Sequence, residues 1–339
     1  MLVQGVLFMA ERKTGLDMIR CIALMLVVTF HSFLFNGYFF EQQKGLWMLL
    51  AGSVRWLSTG CIGLFLMLTG YLKSGELGFG KCWRGIPRVI VTYIIAAVIT
   101  IPVRHFVLGD RQSLWTWCVR FITFQGVYYG WYVEMYLGLM LLAPFINRML
   151  AGLNRSAWLL LCAVMLILTA IPGIIKVMPD YWRSIYPVTY YILGALVRQR
   201  NIKLAPALGL PAAVGIAGIL GAVTVLSTDS AMENAAIWEF PDLWILLISV
   251  FLFVSLHHLK TGGALGKLLR FGAGGCLGGY LLSHLADATF YQLAEKWHSP
   301  EQYWKLFLCI TVPIFVMSVS CGFVLERLAG ALTGRRRHP

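Results

Sequence analysis

Three ionisable residues sit inside one apolar run near the start of the chain, Leu16 to Phe33, LDMIRCIALMLVVTFHSF. In an α-helix the step from Arg20 to His31 turns the chain to within about 20° of three full turns and advances it about 16 Å. The two side chains therefore face the same way, the arginine toward one end of the run and the histidine deeper. Asp17, one turn before Arg20, lies on the same stripe and can pair with it. Ionisable groups in a spanning helix are costly unless they face a bundle interior or an aqueous cavity, so they mark a functional site by default. A neutral imidazole at that depth can take a proton from a hydroxyl, which makes His31 a candidate general base. On spacing alone an equal alternative stands: an interfacial Asp17–Arg20 ion pair, with a histidine that only bonds a neighbouring helix.

Three further groupings carry possible chemistry. Lys81-Cys-Trp-Arg84-Gly-Ile-Pro-Arg88 gathers cations at a helix end. Guanidiniums suit bidentate phosphate binding, although ordinary snorkelling into the headgroups accounts for the cluster taken alone. Tyr128-Tyr-Gly-Trp131-Tyr132-Val-Glu134-Met-Tyr136 is aromatic in the manner of an interface belt, but Glu134 falls inside the apolar run with no base beside it in sequence. It is read as an ion-pair partner for another helix or as a contact for a hydroxylated substrate. Gly278-Gly279-Tyr280-Leu-Leu-Ser283-His284 is followed by Asp287 one helical turn on, where a carboxylate can orient an imidazole. The competing reading is a polar lock between helices. His257-His258 reads as a solvated helix end, Arg55 as a residue needing a partner such as Glu134, and Gly215 and Gly218 as small residues for close packing. No Walker loop, HExxH or GxSxG motif is present. No metal site is expected, and the eight scattered cysteines, without a CxxC pair, predict neither zinc nor a disulfide framework.

The elements that must position these residues are membrane helices. Apolar residues make up 59% of the 339 residues and charged ones only 13%, in long runs that recur from end to end, which excludes a soluble protein. The short alternating segments of a transmembrane barrel are missing. The reading is an all-α polytopic bundle of about ten spans, 16–38, 47–72, 86–108, 131–150, 157–175, 185–198, 205–227, 242–258, 271–291 and 304–328. It forms one integral-membrane domain over 1–339 with a basic tail at 329–339. The segment 113–127 is expected to be interfacial. The first span reads as an uncleaved start-transfer helix. The net charge of +13 does not predict nucleic-acid binding, because the bases sit at helix ends and no basic stripe with aromatics appears. About two thirds of the 28 bases fall on one side if both termini are cytoplasmic, while most acids fall on the other.

At these residues the chain resembles the membrane acyltransferase 3 family, the integral-membrane O-acyltransferases of bacteria. The resemblance runs over nearly the whole length. It rests on an arginine, ten residues and a histidine in the first span (Arg20 and His31), on Trp131-Tyr132 with Tyr136 and Pro144, and on Tyr280-Leu-x-x-His284. The family's RxxR is not reproduced, since Arg84 and Arg88 are four apart and Lys81-x-x-Arg84 is the nearest substitute. The extracytoplasmic SGNH hydrolase-like domain of some members is not found in these residues. The resemblance implies transfer of an acyl group, most often acetyl, from cytoplasmic acyl-CoA as co-substrate to a hydroxyl of an envelope sugar, glycan or lipid-linked acceptor. The expected location is the bacterial plasma membrane, in contact with membrane lipid, with no bound cofactor. A separate extracytoplasmic transferase is an expected partner if the reaction does not finish here. His31 becomes the base or acyl-transfer histidine. Glu134 and His284 join it as catalytic candidates on the acceptor side, Arg20, Arg84 and Arg88 lie at the inner end where CoA phosphates arrive, and Asp17, Trp131, Tyr132 and Tyr280 are further substrate-binding residues. Two other readings compete. One is a transporter of a small polar substrate such as an amino acid, related to the membrane half of certain serine racemases; few helix breaks are expected in the charged spans to support it. The other is an assembly subunit without chemistry, which leaves the Arg20–His31 stripe unexplained.

Overall fold

The computed structural model describes residues 14–35, 44–173, 175, 178–227, 242–294 and 300–334. Among them all regular structure is helical, with no strand. The helices are α1 (Thr14–Phe35), α2 (Gly45–Thr59), α3 (Cys61–Lys73), α4 (Phe79–Trp83), α5 (Ile86–Pro102), α6 (Leu114–Ile122) and α7 (Trp131–Ala151). They continue as α8 (Arg155–Thr169), α9 (Tyr186–Arg200), α10 (Pro206–Ser227), α11 (Leu243–Leu256), α12 (Gly263–Gly274), α13 (Cys276–Ala294) and α14 (Pro300–Leu332). Local chemistry sets several ends. Asn154 caps α8 by accepting from the Ala157 N–H at 2.9 Å, and Ser113 caps α6 by accepting from Thr116. Pro187 sits in the first turn of α9, where a missing N–H costs nothing, and Asn201 closes that helix in the left-handed region at φ 50.

Among the described residues six stretches are long and apolar enough to cross a membrane: Thr14–Phe35, Gly45–Lys73, Phe79–Val107, Trp131–Ala151, Pro206–Leu226 and Phe307–Leu332. This is a membrane protein. Each of the ten expected spans meets a helix, but α8, α9 and α11, at 14 or 15 residues, are shorter than the ~20 residues needed for a ~30 Å hydrocarbon core. Two expected spans are interrupted. The second divides at Gly60 into α2 and α3, and the ninth follows α12 after a break at Gly275. The break beside the span that carries His284 departs from the expectation of few interruptions there. A π-helical turn, Val103–Val107, extends α5.

Helix α1 lies at the centre and packs on α2, α3, α12 and α13. The most extensive contacts join α13 to α14, α2 to α10 and α3 to α9. Glycine makes the closest of them possible. A Cβ on Gly70 would strike the Tyr191 backbone, one on Gly194 the Met67 backbone, and one on Gly322 the Gly279 backbone. Gly215 and Gly218, expected to serve this role, face open space. On α10 it is Gly209 and Gly221 that abut Ser255 and Ser53. His257 is likewise not solvated. It is buried and stacked on Phe253, with Tyr71 beside it. Arg55 is buried over the Trp56 ring, its carbon 4.5 Å from the centroid. Arg12, Lys13, Asp229, Glu233, Glu239 and the tail Arg335–Arg337, used to orient the chain, lie outside the described residues.

Candidate active site

A cavity of about 280 Å³ opens among α1, α3, α5, α7, α13 and α14. One end is charged, with Arg20, Lys73, Arg88 and Glu326. The other is aromatic, with Tyr132, Tyr136 and Tyr280. Every cation at the charged end is already held. Arg20 Nη1 donates to Asp17 Oδ1 at 2.7 Å, as their spacing on α1 predicted. Lys73 donates to Glu76 at 2.8 Å. Arg88 makes the strongest set: Nε and Nη2 donate to Glu326 Oε2 at 2.9 and 2.6 Å, and Nη2 also donates to the Glu326 carbonyl at 2.9 Å. The turn after α3 is fixed by Asn147, whose Nδ2 donates to the carbonyls of Lys73 and Glu76 while its Oδ1 accepts from the Tyr191 hydroxyl.

Beyond the aromatic end lies a second cluster. The Tyr280 ring stands 5.3 Å from Tyr132 and 5.7 Å from Tyr129. Tyr129 in turn lies flat on the imidazole of His31, with centroids 3.9 Å apart and planes within 24°. His284 meets the Tyr129 ring edge-on at 5.6 Å and is stacked by Tyr128 at 4.4 Å. His31 and His284 are each only 9% exposed, whereas Tyr128 is 52% exposed and forms the outer cover. Asp287 is fully buried and accepts from the Tyr129 hydroxyl at 2.8 Å. Among the described residues, the Nδ1 atoms of both histidines, Asp287 Oδ1 and the Tyr280 hydroxyl are buried without a hydrogen-bond partner. Four unsatisfied polar atoms around one phenol ring make an unusual interior, since such atoms are normally paired.

The segment that delivers Tyr128 and Tyr129 is braced by the end of the span that contains α5. Phe124 turns the chain in the left-handed region at φ 58. Arg104 Nη1 then donates to the carbonyls of Gln125 and Gly126, while its Nη2 is held by Asp110 Oδ2 at 2.6 Å. Arg120 reaches the same carboxylate at 3.3 Å. The side-chain amide of Gln112, followed by the two guanidiniums, holds the Asp110 carboxyl below its ordinary range. In α6, Leu114, Trp115 and Ile122 are exposed while Trp117 is buried, the two-faced pattern expected of 113–127.

The structure thus brings His31, His284 and Tyr280 together, and it gathers Asp17, Arg20 and Arg88 at the charged end with Tyr132 between. It does not bring Glu134 to either place. Tyr132 and Val133 point inward, and Glu134, about 200° further round than Tyr132, is exposed and stands apart from both clusters. Arg84 is also exposed, because it lies in the turn between α4 and α5 rather than on α5. Trp131 is exposed beside the inward Tyr132. Asp287 bonds Tyr129 rather than His284. Tyr128, Tyr129, Lys73 and Glu326 went unassigned in the sequence reading. Only the aromatic crowding of 128–136 signalled the first two, and nothing local signalled Glu326, which sits far along the chain from Arg88. No curated protein and no solved structure matches the chain at a significant level. A family model described as an acyltransferase domain matches residues 13–327. With that match over the same helices that carry Arg20, His31 and His284, the chain belongs to the acyltransferase 3 family and is an enzyme that transfers acyl groups.

Proposed function

We propose that the protein is an O-acyltransferase of the bacterial plasma membrane, with ten spans and both termini cytoplasmic, moving acetyl or a related acyl group from cytoplasmic acyl-CoA to a hydroxyl of an envelope sugar, glycan or lipid-linked acceptor. The observation that carries the reading is the order of groups along one line of contacts. A cation-rimmed cavity ends on Tyr132 and Tyr280, whose rings lead through Tyr129 to two buried imidazoles. Donor phosphates are anions, and Arg20, Lys73 and Arg88 are the groups at hand to receive them. His31 takes the proton of the acceptor hydroxyl as its oxygen bonds to the thioester carbonyl carbon. The carbon–sulfur bond then breaks and the proton passes to the departing CoA sulfur, leaving an ester and free CoA. His284 holds the acceptor. The aromatic faces of Tyr128 and Trp131 are suited to a sugar ring at the outer entrance.

The test is CoA release from acetyl-CoA by the purified protein in lipid nanodiscs, with and without envelope glycan. His31→Ala should lose on the order of a hundredfold to ten-thousandfold in kcat. Equal rates for His31→Ala and the unaltered protein overturn the reading. The helix break at Gly275, just before the helix that carries His284, is of the kind that builds transporter sites, so a transport reading has one observation of its own. Uptake of a labelled amino acid into proteoliposomes without CoA release decides for transport.

A further inference from the structure

We infer that Asp287 is a positioning residue for His31 and acts on it through Tyr129. The inference rests on the role given to His31 above, and it concerns a carboxylate for which the family match supplies no role.

The three groups form a chain with one kind of contact at each link. Asp287 Oδ2 accepts from the Tyr129 hydroxyl at 2.8 Å. The Tyr129 ring then covers the His31 imidazole at 3.9 Å with planes only 24° apart. Phe30 meets the imidazole edge-on at 5.6 Å, a more distant ring contact than the Tyr129 stack. Tyr129 is itself delivered by the turn before α7, not by a helix, so its side chain needs an anchor of its own. The carboxylate is that anchor. Three elements that are far apart in sequence therefore fix one ring, with α13 holding the turn and the turn holding α1.

A lock that served folding alone would be built differently. Asp287 is fully buried, yet one of its oxygens has no partner among the described residues. A carboxylate at hydrocarbon depth with half its acceptors empty costs more than the single hydrogen bond returns, whereas an asparagine or serine would bond the phenol without the charge. In its ionised form the carboxylate has a use at the reacting centre. A phenol that donates to a carboxylate has an electron-rich ring, and the imidazole that gains a proton during acyl transfer becomes a cation lying on that ring's face. The contact strengthens as the transition state forms, which raises turnover rather than donor binding. Tyr129 keeps its proton throughout, and Asp287 remains an acceptor.

The experiment compares Tyr129→Phe, Asp287→Asn and the double variant with the unaltered full-length protein in nanodiscs. Two readouts are taken: kcat and KM for CoA release from acetyl-CoA, and the rate at which diethyl pyrocarbonate modifies His31, followed by peptide mass spectrometry with His105 as the internal reference. Each single variant should lose tenfold to a hundredfold in kcat with KM for acetyl-CoA within twofold. The His31 modification rate should change at least threefold relative to His105. The double variant should lose no more than either single one, because Asp287→Asn removes the charge and Tyr129→Phe removes the hydroxyl through which that charge acts. Wild-type kcat in Asp287→Asn, losses that multiply in the double variant, or a modification rate that tracks His105 overturn the proposal. So does a lowered kcat explained by a lower thermal midpoint with His31 reacting at its normal rate. If the unaltered protein releases no CoA at all, the acyl-transfer reading fails, while the modification rates still decide whether Asp287 positions His31.

Discussion

Arg88 reaches the cavity already bound to Glu326, so a donor phosphate has to displace a carboxylate before it can use this arginine. The side chains are 16% and 8% exposed, and two hydrogen bonds at 2.6 and 2.9 Å join Arg88 to a single carboxylate oxygen. Hydrogen bonds to charged groups contribute about 1.5 to 3 kcal/mol each, and a tenfold change in an equilibrium corresponds to about 1.4 kcal/mol. Arg88→Ala removes the phosphate partner and should raise KM for acetyl-CoA by about tenfold to a hundredfold with kcat little changed. Glu326→Gln acts in the opposite sense. The neutral amide still occupies the space but competes less well for the guanidinium, so KM should fall, by about threefold to tenfold. The same substitution leaves a partly buried cation without its counter-ion, and the thermal midpoint should drop by a few degrees. A variant that is less stable yet binds donor more tightly is hard to explain by damage to the fold. Steady-state CoA release over a range of acetyl-CoA concentrations measures both variants. An unchanged KM in Arg88→Ala, or a raised KM in Glu326→Gln, refutes the assignment of this end to the donor.

Other outcomes follow from named contacts. Asp110 is held below the usual carboxylate value of 3.8 by Gln112, Arg104 and Arg120, so its ionised form contributes stability that is intact above that value and is lost as pH falls through the lower folded one. The thermal midpoint of the protein should therefore drop on acidification below about pH 4, and Asp110→Asn should show a smaller drop; an identical acid limb in the variant contradicts the assignment. Gly70→Ala places a methyl against the Tyr191 backbone where α3 and α9 touch, and the yield of monodisperse protein should fall sharply, since overpacking costs about 1 to 3 kcal/mol or more. Gly215→Ala faces open space and should leave that yield unchanged. Glu134→Gln should keep kcat and KM within about twofold, because an exposed side chain away from both clusters has nothing to lose; a large loss in kcat would return Glu134 to the site.

The register of Arg20 and His31 was readable from the chain because it depends only on the period of one uninterrupted helix, and α1 has no break between them. The Asp17–Arg20 pair followed for the same reason. The placement of Arg84 was not legible because 81–88 reads as one helix end, whereas the chain turns at Arg84 and Gly85 and only Arg88 inherits the phase of α5. The outward direction of Glu134 was hidden for a different cause. In a soluble helix the apolar stripe names the buried face, but a membrane helix is apolar all round, and hydropathy does not say which side meets protein. The inward run Tyr132, Val133, Leu139, Met140 and Ala143 is evident only once the packing is known. Asp287 shows the limit of spacing as an argument. Its position one turn from His284 permits a bond, yet a phenol from a distant turn is better placed, and no local pattern announces that contact. The same holds for Glu326 and Arg88, which meet because α14 packs along α5.

His31 does not line the cavity that holds the arginines, and this separation shapes what the chemistry demands. Tyr132 and Tyr280 stand between them, both buried, and both are part of the cavity's wall. In the proposed reaction a donor thioester among the cations and an acceptor hydroxyl beside His31 meet only if one of these rings moves, and Tyr280 is the ring expected to do so. Its hydroxyl has no hydrogen-bond partner among the described residues, while Tyr129 behind it is anchored by Asp287. A barrier of this kind suits a transferase, because a thioester that met water before the acceptor would be hydrolysed, and a closed ring keeps the two apart until the donor has filled the cavity. It also assigns the two tyrosines opposite tasks. In the proposed reaction Tyr129 holds still so that the imidazole beneath it keeps its plane, and Tyr280 yields so that the acyl group can arrive; the first has a carboxylate partner, and the hydroxyl of the second has none among the described residues.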